Sequence, residues 1–136
     1  MSLVFISNDD LIRWWPKVKD FLASGLETSE GEVNLDQLYQ SIESGNTQLV
    51  VCYDQNHQLI GAMTCYFINT PNIRILHISA LGGKNIIGQR HIWNSFKEEC
   101  RKHQVQSIRA ACKPAQARLW RKLGFKVIYQ QIDVSI

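Results

Sequence analysis

Three apolar segments joined by short polar turns occupy the middle of the chain and constrain its fold more than any other feature. They are QLVVCY, QLIGAMTCYFI and IRILHISAL, and the turns between them are DQNH and NTPN. Such short connections suit antiparallel strands, because a parallel pair needs a crossover of roughly a dozen residues or more. The middle of the chain is therefore predicted to be an antiparallel meander.

Helical patterns flank this meander on both sides. Before it, a strand over residues 3–6 precedes a helix that Gly25 is expected to end, and Asn34 with Gln37 begins a second helix. After it come an amphipathic helix in QRHIWNSFKEECRKH, a strand in SIRAACK, a helix in PAQARLWRKLG and a final strand or pair in FKVIYQQIDVSI. This order predicts an α/β fold of the α+β kind, with a mixed, mostly antiparallel sheet of six to seven strands flanked by about four helices.

Length and composition are those of one soluble domain. We expect residues 1–136 to form a single domain, because a chain of this size buries one core. No apolar run approaches the roughly 20 residues of a membrane span, and MSLVFISNDD lacks the features of a secretory signal. A cytoplasmic protein without a membrane partner is expected.

The four cysteines occur singly and without a metal-ligand spacing. They are predicted to be reduced, buried thiols, and no metal site is expected.

Charge is distributed unevenly along the chain. Residues 1–71 carry a net charge of −6 and residues 72–136 carry +9. A basic half of this kind suits an anionic partner, either a phosphorylated cofactor or a nucleic acid.

Two stretches of the second half resemble the GNAT N-acetyltransferase superfamily. The fourth helix of that family commonly ends in a Leu-Tyr-x-x-x-Gly-Phe-like sequence, which here is Leu119-Trp120-Arg121-Lys122-Leu123-Gly124-Phe125. The segment from Ile78 to Gln89 occupies the place of the family's phosphate-binding turn, although only Gly88 of the Arg/Gln-x-x-Gly-x-Gly/Ala motif is retained. More faintly, ISALGG and ARLWRKLGF resemble small GNAT-like proteins encoded by phages.

The resemblance implies that acetyl-coenzyme A binds where the fourth and fifth strands diverge. Free backbone N–H groups and the positive end of a helix dipole suit its pyrophosphate. The cofactor-binding residues implied are Ile78, Ser79, Ala80, Gly82, Gly83, Lys84, Asn85, Ile86, Ile87, Gly88, Gln89, Lys113, Trp120 and Arg121.

The resemblance also implies direct attack of an amine on the thioester, which needs a base for the amine proton. Glu27 and Glu30, with Glu32 on the same loop, and His77 on the fourth strand are the candidate bases. The usual acid of the family is a tyrosine where this chain has Trp120, so Tyr129 or Tyr66 is the candidate acid.

Three functions follow as alternatives. The first is an acyl-coenzyme A-dependent N-acyltransferase that acts on a small-molecule or peptidic amine, with a homodimer as its expected assembly. The second is a non-catalytic GNAT-fold binding or assembly protein, which Trp120 and the reduced phosphate-binding motif would suit. The third is a basic nucleic-acid-binding domain, which is less favoured because no recognition motif accompanies the charge.

Overall fold

The computed structural model describes residues 2–27 and 31–136. Within this part there are five strands, β1 (Ser2–Ile6), β2 (Gln48–Tyr53), β3 (Leu59–Asn69), β4 (Arg74–Gly83) and β5 (Ser107–Ala110). The α-helices are α1 (Leu11–Leu26), α2 (Leu35–Glu43), α3 (Arg90–Lys102) and α4 (Pro114–Lys122), and a short 3-10 helix, Asn8–Asp10, precedes α1. The predicted α+β class and its helices are confirmed.

The strands form one mixed sheet in the order β1-β2-β3-β4-β5. The pairs β1–β2, β2–β3 and β3–β4 are antiparallel, which confirms the meander, and β5 is parallel to β4. The prediction of a sixth or seventh strand in residues 125–136 is wrong, because this segment has no regular secondary structure. Its β-branched residues favour an extended chain, but a strand also needs a neighbour with which to share hydrogen bonds.

The two faces of the sheet are covered by different helix pairs. Strand residues alternate between the faces, so Met63 and Leu76 pack with α3 and α4 while Val51 and Ala80 pack with α1 and α2. Trp93 and Phe96 of α3 fill the first of these cores, and Val18 and Leu22 of α1, with Ile42 of α2, fill the second. The mostly basic helices α3 and α4 therefore share one side of the sheet.

The helix boundaries follow local sequence with one exception. Asn34 and Gln37 form the predicted capping box at the start of α2, with hydrogen bonds of 2.9 and 3.1 Å. The predicted end of α1 at Gly25 is wrong, because the helix continues to Leu26. Gly25 is instead buried against β4, where an added Cβ would lie 2.7 Å from the backbone nitrogen of Leu81. Close packing between helix and strand, and not helix termination, requires glycine here.

The four cysteines are free, as predicted, but they are not all buried. Cys52, Cys65 and Cys100 lie in the core and Cys112 is exposed. Burial raises the pKa of Cys52 to about 11 and the pKa values of Cys65 and Cys100 to about 12. Since the thiolate is the reactive form, these three thiols are protected by both burial and protonation.

We expect a thiol reagent such as Ellman's reagent to modify one cysteine rapidly in the native protein. That cysteine is Cys112, so Cys112→Ser should remove the rapid phase while leaving the slow reaction of the other thiols unchanged. Absorbance stopped-flow measures both phases, with denatured protein as the reference for complete reaction. A second rapid phase in Cys112→Ser would show that a thiol in the core is accessible.

Candidate active site

The pairing between the parallel strands β4 and β5 ends before β4 itself ends. Their pairing runs from Ile75 opposite Ser107 to Ile78 opposite Ala110. Beyond this point β4 continues to Gly83, where its residues pair with β3 but not with β5. Among the described residues, the backbone of β4 after Ile78 therefore has no strand neighbour on that side. We call this unpaired edge of β4 the wedge.

A β-bulge shapes β4 at the start of the wedge. Opposite the consecutive β3 residues Thr64 and Cys65 lie Ala80 and Ile78, so Ser79 is the extra residue. The Ser79 and Thr64 hydroxyl oxygens are 2.8 Å apart, within hydrogen-bonding distance. A bulge unpairs one residue and bends its strand, and this one coincides with the separation of β4 from β5.

The turn after β4 leads from the wedge to the N-terminus of α3. Gly83 has a φ angle of 135° and Asn85 one of 59°, so the backbone reverses sharply. The Ile86 side chain is buried, and its carbonyl oxygen accepts a 2.9 Å hydrogen bond from the indole N–H of Trp93. Ile86, predicted as a cofactor contact, thus fixes the turn to the core.

In the first turn of α3 the amides of Ile92 and Trp93 donate to the carbonyl oxygen of Gln89, whereas the amides of Arg90 and His91 have no hydrogen-bond partner among the described residues. Gln89 is the N-cap and its side chain makes no capping hydrogen bond. The first amides of a helix lack carbonyl partners within the helix and carry its positive dipole end. Lys84 and Arg90 add positive charge beside them, and residues 79–97 contain no acidic side chain. This turn suits an anionic group such as a pyrophosphate.

A contact between α3 and α4 holds the basic side of the site together. The Arg90 guanidinium donates a hydrogen bond to the carbonyl oxygen of Lys122 at the end of α4. Lys113 is the N-cap of α4, and Arg121 is exposed near its other end. The predicted cofactor residues on α4 therefore lie at both ends of this helix.

The glycines of the turn serve packing as well as backbone freedom. An added Cβ on Gly82 would lie 1.8 Å from the backbone carbonyl oxygen of Phe21 in α1. One on Gly83 would lie 2.5 Å from the carbonyl oxygen of Ile60. By contrast, the nearest atom to a Cβ on Gly88 would be 3.9 Å away. Gly88 alone of these three borders open space.

Trp120 lies in the core beside α3. Its ring centroid is 5.2 Å from that of Trp93 and 4.8 Å from that of Phe125. Gly124 ends the helix with a φ angle of 92°, as predicted, and Phe125 packs back onto the same cluster. The tryptophan at the family's usual tyrosine position is therefore a packing residue with little exposed surface.

A cluster of polar residues surrounds His77 on the α1/α2 face of β4. His77 is directly opposite Tyr66 of β3, with ring centroids 5.0 Å apart, and opposite Arg109 of β5. Burial and the Arg109 charge lower the pKa of His77, and the charge of Glu32 partly offsets this. Burial and the same Glu32 charge raise the pKa of Tyr66. We call these four residues the His77 cluster.

Of the other predicted catalytic residues, Tyr129 lines a cavity that His77 also borders. Glu27 is the C-terminal cap of α1, and Glu30 lies outside the described residues. Tyr129 is on the segment after α4 and is 69% exposed. Of the predicted bases, His77 lies in the sheet directly opposite Tyr66 and Arg109. Sequence reasoning did not place Arg109 beside it, because only strand register reveals that neighbour.

A cavity of about 1190 Å³ lies at the outer edge of β5. The four residues of β5, much of α4 and residues 125–132 line it, together with His77. None of the residues from Ser79 to Gln89 does so. The cavity is therefore separate from the turn that suits a pyrophosphate.

Neither a membrane span nor a metal site accompanies these features in the part of the chain that the structure describes. There, no helix combines the length and apolar character needed to cross a bilayer. Nor do three or more His, Cys, Asp or Glu side chains come together to hold a metal ion within residues 2–27 and 31–136.

The wedge and the start of α3 thus lie at the same end of the mixed sheet of an α+β domain. The model of the acetyltransferase (GNAT) domain matches residues 17–134, so this chain belongs to the GNAT acetyltransferase family. Members of this family transfer acyl groups, generally from acetyl-coenzyme A, to small-molecule or peptide amines. No curated protein matches the chain by sequence.

Solved acetyltransferase structures share the fold at low sequence identity. Ribosomal-protein-alanine N-acetyltransferase from Brucella melitensis biovar Abortus 2308 aligns with a TM-score of 0.68 at 9% identity, covering 100% of both chains. An aminoglycoside acetyltransferase from an uncultured soil metagenomic sample, in complex with sisomicin, gives a TM-score of 0.69 at 10% identity, covering 99% of this chain and 94% of that one. Glucosamine-6-phosphate N-acetyltransferase from Arabidopsis thaliana gives 0.62 at 11% identity, with coverage of 98% and 97%.

Proposed function

We propose that residues 1–136 act as one acyl-coenzyme A-dependent N-acyltransferase domain, with acetyl-coenzyme A as the donor and an amine as the acceptor. The observation that carries this proposal is the wedge: β4 runs on to Gly83 after its pairing with β5 ends at Ile78, and it leads directly to the uncapped start of α3. Such a site offers backbone donors to a pyrophosphate without ordering side chains. Family membership supports the same donor.

The residues of the turn fit the diphosphate part of the donor. The first amides of α3 and the ammonium of Lys84 would hold it, and Gly88 leaves room beside them. Bound acyl-coenzyme A supplies an activated acyl group as a thioester. The free backbone of β4 after Ile78 would receive the rest of the donor at the wedge.

The acceptor amine would approach from the α1/α2 face, where the His77 cluster lies. Its nitrogen forms a bond to the acyl carbon, the carbon–sulfur bond breaks, and the amine proton passes to a base. His77 is the proposed base, because its lowered pKa keeps the imidazole neutral near neutral pH. The thiolate leaves either unprotonated or with a proton from Tyr66 or Tyr129.

A substitution at the start of α3 tests donor binding without weakening the fold. Gln89→Asp introduces a good N-cap, which should preserve or raise stability by about 1 kcal/mol. The same carboxylate occupies the helix amides and repels the pyrophosphate, so we expect acetyl-coenzyme A affinity to fall by about tenfold or more. Isothermal titration calorimetry measures the affinity, and urea denaturation measures the stability.

The matched control places the same charge at the other end of α3. Gln104→Asp, just beyond that helix, should leave acetyl-coenzyme A affinity within about threefold of wild type. If wild-type protein shows no binding at high micromolar concentration, the acyltransferase proposal fails and a non-catalytic binding protein becomes the better account. If both variants bind as well as wild type, the donor does not use this turn.

A further inference from the structure

A cleft of about 580 Å³ lies between α1 and α2. Each helix contributes three residues at positions i, i+3 and i+4, which share one face of a helix. They are Ile12, Trp15 and Pro16 of α1 and Asp36, Tyr39 and Gln40 of α2. The volume lies within the roughly 300–1,000 Å³ of small-molecule sites. We call this space the helix cleft.

Two aromatic rings line the helix cleft and meet nearly at right angles. The ring centroids of Trp15 and Tyr39 are 5.0 Å apart, and their planes make an angle of 79°. Both side chains are partly buried and pack on the core beneath α1 and α2, so the core fixes their positions before any ligand binds. The face of an aromatic ring carries partial negative charge and attracts a cation. The aromatic residues of the cleft therefore favour a cationic ligand.

A carboxylate and a carbonyl oxygen add hydrogen-bond acceptors to the helix cleft. Asp36 is the one charged residue among the described residues that line it, and its exposed carboxylate makes no ion pair within that part of the chain. Pro16 lies inside α1 and has no N–H, so the carbonyl oxygen of Ile12, four residues earlier, does not receive its usual helical hydrogen bond. Both groups favour a ligand that carries positive charge and N–H donors.

Two basic residues of α1 that are close to the cleft in sequence contact other groups. The Arg13 guanidinium pairs with Asp10, and the ammonium of Lys17 lies 5.1 Å from the ring centroid of Trp14. Neither of these basic residues lines the cleft. The cleft also belongs to the acidic half of the chain, residues 1–71, whose net charge is −6. Its charge thus suits a cation from outside the molecule.

We propose that the helix cleft binds a lysine side chain of a peptide or protein. The ammonium lies against the rings of Trp15 and Tyr39 and donates hydrogen bonds to the Asp36 carboxylate and the Ile12 carbonyl oxygen. Its methylene stem packs on the apolar surface of Pro16. The two acceptors come from different helices, which suits the separately directed donors of an ammonium. The planar fork of arginine instead suits one carboxylate that accepts two bonds.

The helix cleft is distinct from the site of the proposed acyl transfer. The helix α1 packs closely on β4 at Gly25, and Trp15 is ten residues earlier, about 15 Å along the helix axis. No residue of the His77 cluster lines the cleft. A lysine held there is therefore bound and not acylated, and its binding requires no acyl donor.

An NMR titration of isotope-labelled protein without acetyl-coenzyme A tests the site. The probe N-acetyl-lysine methylamide should shift the indole N–H signal of Trp15 with a roughly millimolar Kd. The indole signal of Trp93, which donates to the Ile86 carbonyl oxygen in the core, should not move. N-acetyl-norleucine methylamide has the same stem without the charge and should bind at least about fivefold more weakly. Equal binding of these two probes, or binding of n-butylammonium without binding of the lysine probe, overturns the proposal.

Two substitutions assign the binding to the helix cleft. Asp36→Asn keeps the shape of the side chain and should weaken binding of the lysine probe by about three- to fivefold, and Trp15→Leu should weaken it by about three- to tenfold. The Tyr39 backbone amide signal reports binding in both variants. The matched control is Asp20→Asn, an exposed carboxylate on α1 outside the cleft, which should bind as wild type does. Because Trp15 also packs on the core, Asp36→Asn decides the outcome if Trp15→Leu does not fold, and unchanged binding in Asp36→Asn overturns the proposal.

Discussion

Gly82→Ala is expected to destabilise the protein by about 3 kcal/mol, which corresponds to roughly 10 °C in Tm for a chain of this size. The methyl group would lie 1.8 Å from the carbonyl oxygen of Phe21 and 2.6 Å from its carbonyl carbon. Both atoms belong to the backbone of α1, so no side-chain rotation relieves the overlap and the helix must move away from β4. Urea denaturation followed by fluorescence measures the change as a lower midpoint with an unchanged m-value.

Gly88→Ala is the matched control for this change. Its methyl group meets nothing closer than the carbonyl oxygen of Asn85 at 3.9 Å, so the free energy of unfolding should stay within about 0.5 kcal/mol of wild type. Equal stabilities for the two alanine variants would contradict the close packing of α1 on β4.

His77→Asn is expected to lower kcat/KM for acyl transfer by about 10²–10⁴-fold, if His77 takes the proton of the acceptor amine. Its matched control is His57→Asn, in the exposed turn between β2 and β3, where the φ angle of 59° is one that asparagine accepts readily. That variant should keep wild-type activity. Steady-state kinetics with acetyl-coenzyme A and a reactive amine compares the two, while calorimetry tests that donor affinity is unchanged.

The pH dependence of kcat/KM identifies the base more sharply than the loss of rate alone. Burial and Arg109 lower the pKa of His77 below its usual 6.5, so activity should persist at pH 6.5 and fall only at lower pH, as the imidazole becomes protonated. Glu32→Gln removes a charge that raises this pKa and should move the acidic limb to lower pH. Arg109→Gln removes a charge that lowers it and should move the limb to higher pH. Shifts in the same direction, or a limb retained in His77→Asn, would exclude His77 as the base.

Much of the fold could be predicted because it depends on local patterns. The three strands of the meander, the capping box at Asn34 and the left-handed Gly124 at the end of α4 are each encoded within a few neighbouring residues. The turn from β4 to α3 was also predictable as an element, since glycine marks the reversal. Family motifs added the identity of the fold, which the match over residues 17–134 supports.

The final strand shows where local patterns fail. Residues 125–136 have the composition of a strand. Strand propensity, however, describes a single segment, and a sheet forms only when a second strand lies beside it. Whether a second strand lies beside this segment depends on how β5 and α4 are placed in the fold. A short stretch of sequence does not contain that information. The predicted end of α1 at Gly25 was wrong for a related reason. Glycine is needed there because the helix packs closely on the backbone of Leu81 in β4, which is distant in the chain.

The sequence by itself determined the order of elements, the basic character of the second half and the glycine-marked turn before α3, because these depend on residues close together in the chain. Only the tertiary structure decided that Gly82 faces α1, that Trp120 is a core residue, and that Tyr66, His77 and Arg109 stand side by side. Contacts of this kind join residues that are distant in the chain. They are set by strand register and by the packing of helices on the sheet, and these arise only when the whole chain has folded.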